Sequence, residues 1–134
     1  SDTTDVTNFN STSYTLGTPT VGASFVAPTS GIVILHFGGR VNLNNATADR
    51  ILLSAEVRTG STVGSGTVVE AAADDWAIEI GTAAGTRLGA SRVRPVTGLT
   101  AGDTYNASVW HHNSVSVASA GSLFVRDVTV VGVP

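Results

Sequence analysis

Few residues of this chain could do chemistry. Three histidines, ten carboxylates and seven arginines are spread over 134 residues, and there is no cysteine. The densest candidate is Trp110-His111-His112-Asn113. Adjacent imidazoles suggest a metal, yet neighbours on a strand point to opposite faces, so both could reach one ion only from an irregular loop. No third ligand follows at a spacing such as H-E-x-x-H, and two histidines fall short of a zinc shell. The expectation is a polar strand end without metal. Asp74-Asp75 comes second. Calcium takes six or more oxygens, and no D-x-[DN]-x-[DN]-G series surrounds this pair. Asp75, directly before Trp76, reads instead as a turn residue at a strand entry.

Signals for catalysis are weaker still. Serines are plentiful, but none sits in a G-x-S-x-G elbow. Glu56, Glu70 and Glu79 are the carboxylates a glycosidase would draw on, and all three read as outward strand positions. Neither an enzyme nor a cofactor is expected. A sugar platform is the remaining candidate: Trp76 and Trp110, with His111, His112 and Asn113 beside Trp110. Against it, large aromatics more often anchor cores and interfaces. Sequons at Asn10, Asn45 and Asn106 carry no weight in a bacterial or viral chain.

These residues must be positioned by strands. No window keeps an i, i+3, i+4, i+7 apolar pattern with caps, whereas β-branched runs between Gly, Pro, Asn and Asp recur throughout. Residues 1–20 are polar and aperiodic, and read as an N-terminal arm, either frayed or docked on a neighbour. One sandwich domain is expected over 21–134. Residues 22–28 form a short strand stopped by Pro28. The longest strand spans 32–43, with Val33, Leu35 and Phe37 on one face and Gly38-Gly39 as a bulge or close approach. Residues 42–49 are a polar loop. In 50–59, Ile51, Leu53, Ala55 and Val57 alternate with Leu52, Ser54, Glu56 and Arg58. Short strands at 67–72 and 76–80 flank the Asp74-Asp75 corner. Residues 81–85 turn, and 86–96 offer Leu88, Ala90 and Val93 to the core. Tyr105, Ala107 and Val109 alternate next, 111–121 is a polar loop or weak strand, and a long strand from Leu123 closes the domain. About eight antiparallel strands at this spacing suit a jelly-roll sandwich. Phe25, Phe37, Trp110, Phe124, Val128 and Val130 are the candidates for core or oligomer interface.

Composition narrows the function. A chain of this length fits one domain of the usual size, about 150 residues. Charged residues are 13%, against about 25% in a typical domain. A net charge of −3 gives no footprint for nucleic acid or an anionic membrane, and no apolar run is long enough for a membrane helix. The apolar content is carried by Val and Ala, which implies a small-residue core or faces buried between copies. Every basic residue is arginine, and Met and Gln are absent. That usage suits a GC-rich genome and points to an actinobacterium or one of its viruses.

Two segments carry a family resemblance. Phe25-Val26-Ala27-Pro28-Thr29-Ser30-Gly31, leading into Ile32–Phe37, resembles the F-x-A-P-x-x-G turn of C1q/TNF-like jelly rolls. Gly98-Leu99-Thr100-Ala101-Gly102-Asp103-Thr104-Tyr105 is similar to that family's L-x-x-G-D turn. The stretch from Glu56 to Val69, with Ala71 to Asp75 after it, resembles small head- and tail-associated proteins of actinobacterial tailed phages. The resemblance covers roughly residues 20–133. It implies a homotrimer made in the host cytoplasm and displayed on the virion surface, as capsid decoration or a tail component. Its partners would be its own copies and a major capsid or tail protein. A carbohydrate- or receptor-binding module, with a host-surface glycan as partner, is the alternative.

Overall fold

The computed structural model describes residues 1–43, 50–81, 85–115 and 121–134, Asn8 by its backbone alone. The expected loop at 42–49, the Asn45 sequon, the turn at 81–85 and the tail of 111–121 therefore fall wholly or partly outside the described residues. The described chain forms ten strands, where about eight were expected. They are β1 (Val6–Phe9), β2 (Thr15–Leu16), β3 (Gly22–Val26), β4 (Val33–Leu43), β5 (Ile51–Thr59), β6 (Val68–Glu70), β7 (Ile78–Ile80), β8 (Arg87–Val96), β9 (Thr104–Asn113) and β10 (Gly121–Gly132). Asp74–Trp76 makes a single 3-10 turn.

Two antiparallel sheets face each other. One runs β1-β10-β4-β8. In the other, β9 lies between β5 on one side and β2 and β3 on the other, and β5 carries β6 and β7 on its far edge. From β7 on, each successive strand crosses to the opposite sheet, as β3, β4 and β5 also do. That alternation is the wiring of a jelly roll. The two turns that carried the resemblance lie side by side: Ala27 N donates to Asp103 O at 2.9 Å, Gly102 N to Ala27 O at 2.9 Å, and Leu99 N to Gly31 O at 3.1 Å. Gly31 has φ +66°, and a Cβ there would sit 2.4 Å from Leu99 O, so the turn requires glycine.

Alternation of side chains builds the core. Val33, Leu35, Phe37, Val41 and Leu43 of β4 meet Ile51, Leu53, Ala55 and Val57 of β5 and Tyr105, Ala107 and Val109 of β9. Phe37 and Val128 are buried, and Phe25 and Val130 pack against this core from its margin. Phe124 departs from the expected core. A bulge between Leu123 and Val125 shifts the register of β10, so Leu123 is buried while Phe124 sits half-buried under the Arg87 guanidinium. Beyond the bulge the even positions turn inward, and Arg126 pairs with Gly39 on the core face.

Strand β8 also differs from expectation. Val93 is 61% exposed and Leu88 44%, while Arg94 and Val96 are buried. Register explains this: Arg94 lies opposite core residue Leu35, and Val93 opposite exposed His36. An edge strand tolerates this choice, and Pro95 suits an edge. The segment expected as an N-terminal arm pairs with both sheets, β1 on β10 and β2 on β9, and Asp2 bridges Arg126.

Candidate functional site

A cleft lined by titratable groups opens on the outer face of the six-stranded sheet. Its floor is a row across three strands, His112 of β9, Leu52 of β5 and Glu79 of β7, held in line by pairing register. Arg50 and Ser114 extend the floor. Arg50 N donates to Ser114 Oγ at 3.0 Å, and Ser114 N to Arg50 O at 3.0 Å. Asp74 of the 3-10 turn forms the rim. These six residues enclose about 200 Å³. Tyr14, just before β2, stands with its ring edge on His112 at 4.4 Å.

One oxygen organises the rim. Asp74 Oδ1 accepts from Tyr14 OH at 3.0 Å and faces His112 Nε2 at 3.0 Å. The other ring nitrogen of His112, Nδ1, lies 2.8 Å from the Asn113 carbonyl, which can only accept. Both ring nitrogens therefore face an oxygen that can accept. The His112 hydrogen bond holds the Asp74 carboxyl below its ordinary value, and the bond from Tyr14 adds to this. Burial pushes the Tyr14 phenol well above its usual value, with Asp74 reinforcing the shift. Arg50 pairs with Glu79 on the opposite wall.

The acidic and basic groups of the cleft are already paired with one another. A general base needs a free ring nitrogen within reach of the proton it takes, and both nitrogens of His112 are engaged. The glutamates do not converge either. Glu70 pairs with Arg94, Glu79 with Arg50, and Glu56 with Arg58 at 2.5 Å. Glu56, expected to point to solvent, is 7% exposed. It does lie on the outer face, but pairing with Arg58 and its place opposite Ser108 cover it.

The structure divides the expected sugar platform. Trp110 and His112 share the outer face of β9, while the pleat sends His111 and Asn113 inward. Trp110 is half-buried, its Nε1 donating to Ser108 Oγ at 3.0 Å and its ring lying 5.3 Å from the Arg58 guanidinium carbon. Trp76 is 40% exposed but sits elsewhere, against Arg94 and Arg92 of β8 at 4.7 and 5.6 Å. Of the residues marked in the sequence, the cleft unites Asp74, Glu79 and His112. Tyr14, Arg50, Leu52 and Ser114 carried no signal, because their chemistry depends on register. Asn106 of the third sequon is fully buried, donating to Gly60 O at 3.0 Å and Ser65 O at 3.1 Å and accepting from Gly64 N at 2.9 Å. Among the described residues no group of three metal-ligating side chains occurs.

A second feature lies on the outer face of the four-stranded sheet. Val131, Ile34 and Pro95 form one row across β10, β4 and β8, and Thr129, His36 and Val93 form the next. Val93 and Val131 are 61% and 55% exposed.

No family model matches the chain, and no curated protein matches it. Solved structures do. A sugar-binding protein, the EclA C-terminal domain, aligns over 96% of this chain and 79% of its own, at 14% identity and a TM-score of 0.48. The CBM22-1 xylan-binding domain of Paenibacillus barcinonensis Xyn10C aligns over 81% of this chain and 60% of its own, at 14% identity and a TM-score of 0.41. A chain of infectious bursal disease virus, Gt strain, aligns over 97% of this chain and 29% of its own, at 10% identity and a TM-score of 0.44. At such identities the site residues of one protein say nothing of another's.

Proposed function

We propose that this protein is a non-enzymatic structural module that works as a homotrimer on the surface of an actinobacterial tailed-phage virion, as capsid decoration or as a tail component. The observation that supports assembly is the apolar patch of Val131, Ile34, Pro95 and Val93, which spans three strands on an otherwise solvated sheet face. Contiguous exposed apolar surface marks an interaction site. Burying it between copies would be favourable by about 25 cal/mol per Å². Light scattering tests this directly. A trimer that Val93→Glu converts to folded monomer is expected, and a parent protein that stays monomeric at about 100 μM concentration sinks the assembly reading.

The cleft of Tyr14, Asp74 and His112 favours a second reading, a carbohydrate- or receptor-binding module. A trimer can carry both, with the sheet face for assembly and the cleft turned outward. A glycan array tests this second reading on its own terms.

A further inference from the structure

Building on that second reading, we infer that the cleft formed by Arg50, Leu52, Asp74, Glu79, His112 and Ser114 binds one neutral sugar ring, such as the terminal residue of a glycan. Size comes first. About 200 Å³ lies below the roughly 300–1,000 Å³ of sites for drug-sized ligands, so the occupant is a single ring. Charge comes second. Arg50 pairs with Glu79, and the His112 ring lies against Asp74, so each carboxylate facing the cleft already has a partner. An anionic or cationic occupant would break one of these pairs to gain another. A neutral hydroxyl need not, because it donates to a carboxylate oxygen while accepting from an N–H.

The chemistry of the walls matches that requirement. The Asp74 and Glu79 side chains are 67% and 44% exposed, so their oxygens remain open to hydroxyl donors. Arg50 supplies donors beside them, and the Ser114 hydroxyl lies at the same end. Leu52, 6% exposed, gives an aliphatic floor for the C–H face of a pyranose. The site is also built in advance. His112 is wedged between Tyr14, Asp74 and its own strand, so binding would order few side chains. The two tryptophans that the sequence offered as a platform do not line this cleft.

The test is NMR titration of the full chain with methyl α-glycosides of glucose, galactose, mannose and N-acetylglucosamine, and with methyl glucuronide as charged control. The expected result is saturable movement of the His112 ring and Leu52 methyl resonances by at least one neutral glycoside, with a dissociation constant on the order of 1 mM. Asp74→Ala and Glu79→Gln should each weaken it tenfold or more, and Trp76→Ala should bind like the parent. Retained signal dispersion confirms that each variant folds, and either cleft variant suffices alone. The glucuronide should bind no more tightly than the glucoside. Movement confined to Trp76 or Trp110 would overturn the cleft and leave the broader glycan reading standing. Silence from all four neutral glycosides, or glucuronide bound tenfold more tightly, would also overturn it.

Discussion

The histidine turned into the core should make this protein sensitive to mild acid. His111 is 2% exposed, with Phe9 edge-on at 4.5 Å and its Nδ1 buried without a hydrogen-bond partner. Burial, with the Arg126 guanidinium and His112 adding to it, pulls its imidazole from 6.5 down to about 4. The unfolded chain takes up this proton near pH 6.5, and the folded chain only near pH 4. Between those values the unfolded state holds more protons, so stability falls as pH drops. Each unit of the window is worth about 1.4 kcal/mol, and the whole window about 3 kcal/mol. That is a large share of the 5–15 kcal/mol typical of a domain. His111→Leu removes the titration and the unpartnered nitrogen together. Urea unfolding, followed by tryptophan fluorescence at about pH 4.5, 5.5, 6.5 and 7.5, reads both proteins. The parent should lose about 1.4 kcal/mol per pH unit more than the variant below pH 6.5, with a constant offset between the two above it. Asp74, whose carboxyl titrates below its ordinary value, enters only under about pH 4, outside this window. Parallel slopes for parent and His111→Leu would refute the reasoning.

Other predictions follow from single residues. Asn106→Ala strands the Gly64 N–H and the Gly60 and Ser65 carbonyls, so it should cost about 2–3 kcal/mol and speed hydrogen exchange at Gly64. Tyr14, with its phenol raised by burial, stays protonated in the fold after the unfolded chain has ionised. Stability should therefore fall as pH rises past about 10, and Tyr14→Phe should flatten that alkaline limb in denaturation curves. Arg126 is fully buried, its three guanidinium nitrogens without a hydrogen bond and its ion pair with Asp2 at 4.0 Å. Arg126→Met should leave the denaturation midpoint unchanged or raise it, since well-packed apolar residues often replace buried charge without loss.

The architecture was legible in the sequence wherever alternation was regular. Strand β5 shows this best: Ile51, Leu53, Ala55 and Val57 join the core as the pattern gave, while Leu52, Ser54 and Glu56 are covered on the other face. The turns around Pro28 and Gly102 were legible because few residues suit such backbone. Strand β10 was harder. One bulge near its start reverses the meaning of parity along it, which leaves Arg126 inward and Phe124 outward. Strand β8 misled for a related reason, since an edge strand can bury arginine stems and expose valine. The cleft was half visible. Asp74 and His112 stood out by type, but 38 residues separate them, and nothing local says that the 3-10 turn folds back over β9. Tyr14 lay in a segment with no periodicity at all.

The order of strands also has a consequence in time. Strand β10 lies between β1 and β4, so the last strand of the chain bridges one of the first to the middle. Among the described strands, only β5 and β6 are paired neighbours in sequence. On the ribosome, the four-stranded sheet cannot close until residues 121–132 have emerged. Until then, β4 presents an unpaired edge and an uncovered apolar face. Folding dominated by such distant pairings runs on the scale of milliseconds to seconds. The low content of large apolar side chains thus gains a second meaning: a nascent chain whose sheet must wait for β10 is safer when the surface it leaves open is only weakly adhesive.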